Sequence, residues 1–422
     1  MKKFFCFMFS LLVMLAFATC NNSKKSSDGR TVLDMLWFND AGEGASLNRL
    51  VDLYEAEHPD IDINVIDLPY DAINDRLRNS VLGGKPPALA RTMNLGTFER
   101  YLVDLSEYLG PEFADNFNEG GLNFVINGKI LGAPMDITVN GLVYNKTLFD
   151  QAGITVPQNE DEIWTWEEWK DAMRRVMQNS DAEYGIVIDT SIHRLCTLVY
   201  QTGASMLTSD LKQSNYGHPG WIRALNFYKS LVDEGLMPVG IPGGSENPAQ
   251  LFRTGKVGMH LAGNWLVGQY KNEITDFEWG FTYLPKDARR SSVPGGKYIA
   301  AYKGSGVEKE AAEFIEWISR RENNAVFISE NYFVSQVRGN EHLDYDFGGE
   351  WFEIFASDMA ASGLQPGKEW GFQEFNTINN DRQGSYFKEV ALGLHTPEWY
   401  VETMDGVAKG ALEEVAAAAA SN

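Results

Sequence analysis

Between Thr31 and Val65 the chain reads as strand, helix, strand, and this order constrains the fold more than any other stretch. Thr31-Val-Leu-Asp-Met-Leu-Trp-Phe38 is a nearly continuous apolar run, suited to a strand buried on both faces. Leu47, Leu50, Val51 and Tyr54 recur at helical spacing, and Pro59 stops that helix. Ile61, Ile63 and Val65 then alternate with Asp62 and Asn64 as a second strand. Strands joined through a helix pair in parallel, with a right-handed crossover. The expected fold class is therefore α/β, with mainly parallel sheets flanked by helices. Ligands of such sheets sit beyond the carboxyl ends of the strands, which directs attention to Phe38, Asn39, Asp40 and Glu43.

Further elements follow in order. Asp71 to Leu82 reads as a helix, Pro86-Pro87 breaks it, and a short strand over 88–93 delivers Asn94 at its end. Asn127-Gly128 between Phe124-Val-Ile126 and Lys129-Ile-Leu131 marks a hairpin, because a tight turn there needs positive φ angles. Asp136 comes next, just before a strand at Leu142–Tyr144 that Asn145 closes by capping a helix. Thr165-Trp-Glu-Glu168 is a capping box. Helical stripes recur over 225–232, 311–318 and 401–415, and strands over 278–284 and 298–302 flank a Pro294-Gly295-Gly296 turn. The segment Thr254-Gly-Lys-Val-Gly-Met-His-Leu-Ala-Gly-Asn-Trp265 is a glycine-bracketed strand that presents Asn264 and Trp265 at its end.

A chain of 422 residues is too long for one ordinary core. The formal net charge of −22 repels nucleic-acid backbones and anionic lipid, so no nucleic-acid partner is expected. Met1-Lys2-Lys3 precedes an uncharged, largely apolar segment to Ala18, too short for a membrane span and suited to an export signal. The segment ends at Phe17-Ala18-Thr19-Cys20-Asn21, which resembles the lipobox of bacterial lipoproteins, with Cys20 as the lipidated residue; plain secretion is the alternative. Residues 1–19 are thus expected as signal and 20–30 as tether. With Cys196 the only other cysteine left after cleavage, no disulfide is expected.

Taken in order, Trp37 to Val65, Leu131-Gly-Ala-Pro-Met-Asp-Ile-Thr-Val-Asn-Gly-Leu-Val-Tyr-Asn145, Thr165 to Trp169, Phe252 to Trp265 and Pro294-Gly295-Gly296 resemble the extracellular solute-binding proteins of family 1. These are maltose-binding-protein-like receptors of ABC importers. Two stretches depart from the family's pattern: Pro87 is followed by Ala88 rather than Asp, and Glu330 to Ser335 lacks a proline. The resemblance implies a two-lobe, type II periplasmic-binding-protein fold. Residues 31–136 and 277–330 would form the N-terminal lobe, 137–276 and 331–422 the C-terminal lobe, with hinges near Met135–Thr138 and 270–280. It also implies a monomeric, exported receptor that closes on a carbohydrate and hands it to a permease, touching the membrane only through a lipid anchor.

A sugar presents apolar C–H faces to aromatic rings and hydroxyls to amides and carboxylates. Trp265 is the leading stacking candidate, followed by Trp370, Tyr70 and Phe38; each has core packing as its alternative reading. Asp136, Asp40, Glu43, Asn94, Asn264 and the amides of Gly295 and Gly296 are the polar candidates. Asp40 or Glu43 can equally serve as a cap for the helix behind them. Trp265 is expected to face Asp40, Glu43 and Asp136 across a gap. The six histidines lack metal-ligand spacing, and no nucleophile elbow, phosphate loop or dinucleotide fingerprint occurs; no metal, cofactor or catalytic set is expected. Open alternatives are the same fold binding a polyamine, thiamine or glycerol phosphate, and a secreted glycoside hydrolase.

Overall fold

The computed structural model describes residues 24–39, 42–118 and 122–420, so the export segment, Cys20 and Asp40 lie outside the described residues. Its strands are β1 (Thr31–Phe38), β2 (Ile61–Leu68), β3 (Leu89–Thr92), β4 (Val125–Ile126), β5 (Lys129–Ile130), β6 (Ala133–Asn145), β7 (Tyr184–Ile188), β8 (Val257–Gly263), β9 (Trp279–Thr282) and β10 (Pro294–Ala301). The β1–helix–β2 unit is parallel, with Thr31 opposite Ile61 and Phe38 opposite Leu68, and β3 joins β1 in parallel on the other side. The helix Gly44–Glu57 is the crossover, burying Leu47, Leu50, Val51 and Tyr54. Asn127 and Gly128 adopt φ of 51° and 76°, the left-handed pair that the β4–β5 hairpin needs. The Thr165–Glu168 capping box forms, and Asn145 accepts from the Leu148 amide at 3.0 Å.

One path of ladders runs β2-β1-β3-β10-β6-β8-β7, with β9 also on β6. The parallel ladders are β1–β2, β1–β3 and β7–β8; those that involve β6 and β10 are antiparallel, so the sheet is mixed. Strand β6 explains the two-lobe architecture. Its residues up to Val139 pair with β10, whereas Asn140 to Asn145 pair with β8 and β9. Two apolar cores result, one around Leu33, Leu50, Leu89 and Phe314, the other around Trp169, Leu198, Met259 and Phe355. Leu122 and Trp265 pack against both cores.

Three boundary expectations change. Residues 270–280 hold the end of the helix Val267–Glu273 and the start of β9, and Phe281, Leu284 and Val293 belong to the second core. The return crossing therefore falls in β10, between Val293 and Tyr298. Pro294, Gly295 and Gly296 are no turn but the first residues of β10, paired with Val139, Thr138 and Ile137. Tyr332 packs in the second core and Phe333 and Val337 in the first, with Val334 bridged to Ile137, so residues 332–337 run along the junction of the lobes rather than opening the C-terminal lobe at 331.

Candidate ligand-binding cleft

A cleft of about 640 Å³ lies where β6 and β10 pass between the lobes. It brings together Trp265, Trp370, Tyr70, Asn94, Gly295 and Gly296 of the expected set. Amides dominate the remaining wall: Asn39, Asn74, Asn123, Asn140, Asn376 and Asn380 all line it. Four buried polar atoms in this wall have no hydrogen-bond partner among the described residues: Asn74 Oδ1, Asn376 Oδ1, Trp370 Nε1 and Arg194 Nε. Two are acceptors and two are donors. Buried polar groups are nearly always paired, so these four stand out in one wall.

Trp265 begins a short turn behind β8, and Gly263 makes room for it: a Cβ there would collide with the Trp265 ring and the Val139 carbonyl. The Arg194 guanidinium lies over the indole, 4.5 Å from its centroid. Arg194 is itself held by Asn140 Oδ1 (2.6 Å) and by Asp189 (3.3 Å). On the neighbouring His193, Trp370 stacks at 3.9 Å between centroids. Its helix, Leu364–Gly371, is fixed by the buried Glu369 carboxylate, which accepts from Tyr200 Oη (2.5 Å), the Leu207 amide (2.8 Å) and Gln365 Nε2 (2.7 Å). No residue pattern flagged Arg194, His193, Asn140 or Glu369, because their roles depend on contacts between helices distant in sequence.

Several expected contacts are redirected. Asp136 and Glu43 do not face the cleft across from Trp265: their side chains are 0% and 1% exposed and both ion-pair with Arg91, Asp136 Oδ2 at 2.7 Å. Glu43 precedes the helix Gly44–Glu57, yet its carboxylate makes no cap bond, because Arg91 engages it instead. Glu43 and Trp265 do line one cavity together, a separate one of about 460 Å³. Phe38 is core, 0% exposed and edge-on to the Tyr70 ring that does reach the cleft. Asn264 is a structural clip: Oδ1 accepts from the Val139 amide at 2.8 Å, and Nδ2 donates to the carbonyls of Tyr332 (3.0 Å) and Ile137 (3.3 Å). It ties β6 to the segment after the helix Arg321–Asn331 and lies beneath the cleft, not in it. Arg91 was the missed signal, a lone arginine in the otherwise strand-like Leu89-Ala-Arg-Thr92; buried there, it requires carboxylate partners.

A model of the bacterial extracellular solute-binding protein family matches residues 39–325. The chain belongs to this family. A putative binding protein of Brucella abortus is 26% identical over 310 residues, covering 69% of this chain and 72% of the relative. The multiple sugar-binding protein of Streptococcus mutans is 23% identical over 336 residues, 73% of this chain and 76% of the relative. Among solved structures, the GacH receptor of Streptomyces glaucescens superposes with a TM-score of 0.77 at 20% identity, over 90% of this chain and 98% of that one. As an extracellular family member, the solute-binding protein is exported.

In the solute-binding protein the lobes also meet at the cleft rim, where Thr97 Oγ1 lies 2.9 Å from Thr377 Oγ1 and Asn94 Nδ2 donates to Thr377 at 3.4 Å. Asn94 therefore bridges lobes as well as lining the cleft. Burial pushes the imidazoles of His193 and His260 down to about 3, so both are neutral near pH 7. An unfolded histidine takes up its proton near 6.5, so between 6.5 and 3 the unfolded state binds more protons. The contribution of these two groups is full above pH 6.5 and is lost as pH falls toward 3. The expected observation is that the ring-proton NMR shifts of His193 and His260 stay constant from pH 8 to 5; a midpoint near 6.5 for either refutes its buried, neutral state.

Proposed function

We propose that this solute-binding protein captures a carbohydrate between its lobes by hinge closure and delivers it unchanged to an ABC permease. The observation that carries this reading is the set of unpartnered donors and acceptors in one amide-lined cleft with Trp265 and Trp370. A hydroxyl both donates and accepts, so a polyol suits a wall in which amide donors and acceptors stand side by side. Indole faces match the C–H faces of a pyranose. The name of the Streptococcus mutans relative and the acarbose complex of the GacH receptor agree with a saccharide cargo.

Cationic cargo is less well served, since among the described lining residues the charged ones are Arg194 and Lys297, with no carboxylate. The two cations sit beside Asp189 and Asp136, at 3.3 and 3.7 Å, which disfavours a phosphorylated cargo as well. A glycosidase needs two carboxylates across the scissile bond, and the described cleft wall supplies none. Attachment of a monomeric receptor to the membrane through Cys20 belongs to the same proposal; palmitate labelling that persists in Cys20→Ser would remove it. The central test is titration calorimetry against a panel of mono- and oligosaccharides, with spermidine, thiamine and glycerol 3-phosphate alongside. Saccharide binding is the expected result, and heat only from one of the other three would overturn the reading.

A further inference from the structure

The cleft continues past its amide-lined chamber. A second cavity of about 530 Å³ shares Asn123, Pro294, Gly367 and Gly371 with it. The chemistry of the wall changes there. Val125 and Ile126 of the β4–β5 hairpin face Leu211, Met359, Leu364 and Phe372 of the other lobe. Val125 is 40% exposed and Leu364 71%, so aliphatic surface is left open beside a site built from amides. Apolar patches of this kind mark binding surfaces more often than scattered single residues do. The space beside the two glycines that the chambers share is open: a Cβ on Gly367 would meet nothing within 4 Å, and one on Gly371 only Asn123 at 3.6 Å.

We propose that the cargo is an amphiphilic glycoside, its saccharide in the amide-lined chamber and its apolar aglycone, alkyl or aryl, in this annex. The inference rests on the carbohydrate reading above and adds the class of substituent. Continuity decides the occupant: a group entering the annex from the cleft is covalently attached to what the cleft holds. Further sugar units would bring hydroxyls against Val125, Leu211, Met359, Leu364 and Phe372, with polar side chains only at Asn123, Asn127, Ser292, Ser362 and Lys368 of the annex wall.

The test uses the exported chain without its signal and calorimetric titration with methyl, hexyl and phenyl glycosides of glucose, galactose and their disaccharides. Hexyl and phenyl glycosides should bind about 10-fold more tightly than the methyl glycoside, a gain of about 1.4 kcal/mol that burial of roughly 55 Å² of apolar surface supplies. Leu364→Glu, at an exposed position, should abolish that gain and leave methyl glycoside binding unchanged. Met359→Glu, on the part of the annex wall that the cleft does not share, should do the same. Equal affinity for all three glycosides, or a gain that survives both substitutions, overturns the annex and leaves the saccharide reading standing. A larger gain from added sugar units than from hexyl or phenyl also overturns it. Absence of binding by every glycoside overturns both.

Discussion

Arg91→Met should destabilise the protein by about 3–5 kcal/mol, the range for removing one partner from a buried ion network. Arg91 is fully buried in β3 and spans Glu43, behind β1, and Asp136, on the crossing strand β6. It also donates to the Phe38 carbonyl at 2.8 Å and lies 4.8 Å from the ring centroids of both Trp37 and Phe38. Methionine keeps much of the volume but leaves two carboxylates with reduced compensation in a low-dielectric interior, where charge is costly. Urea unfolding followed by tryptophan fluorescence is the measurement. A loss below about 1 kcal/mol, the range of exposed pairs, would mean that the network contributes little. Adding Glu43→Gln and Asp136→Asn to Arg91→Met should return part of the stability, because the uncompensated charges are then gone.

Trp370→Ala is expected to weaken saccharide binding by about 1–3 kcal/mol, the scale of a stacked aromatic anchor, with the unfolding midpoint little changed. The indole is half-buried at the cleft, contributes an unpartnered N–H and is aligned by its stack on neutral His193. Trp370→Phe should recover the stacking part and not the hydrogen-bonding part, so its affinity should fall between the two. Affinity equal to the parent in Trp370→Ala would assign the ring to packing. Trp265 makes a useful contrast. It touches both cores as well as the cleft, so its removal should lower stability and affinity together.

The redirected contacts explain how far local patterns reach. Asp136 lies within β6, Glu43 before a helix and Asn264 just past β8, and from the sequence a ligand contact and a structural one look alike at all three. What separates them is whether a partner such as Arg91 or the Val139 amide arrives from elsewhere in the chain. Similarly, Pro294-Gly295-Gly296 carries the composition of a turn, yet β6 pairs with it and Thr138 leaves no room for a side chain at Gly295. Pairing with a distant strand outweighed the local preference.

By itself the sequence determined the parallel β1–helix–β2 unit, the Asn127–Gly128 hairpin, the Asn145 and Thr165 caps and the strand that leads to Trp265. Each follows from side-chain periodicity or from a residue's own φ preference, which act over a few residues. Tertiary structure alone decided which polar groups are spent inside the protein and which stay open in the cleft. Asn140, His193, Arg194, Trp370 and Asn376 converge only because β6 crosses between lobes and three helices bring their residues to it, and convergence of groups so far apart in the chain has no local signature. Trp265 belongs to both accounts: its strand was legible, but its position against two cores and one cleft exists only in the folded chain.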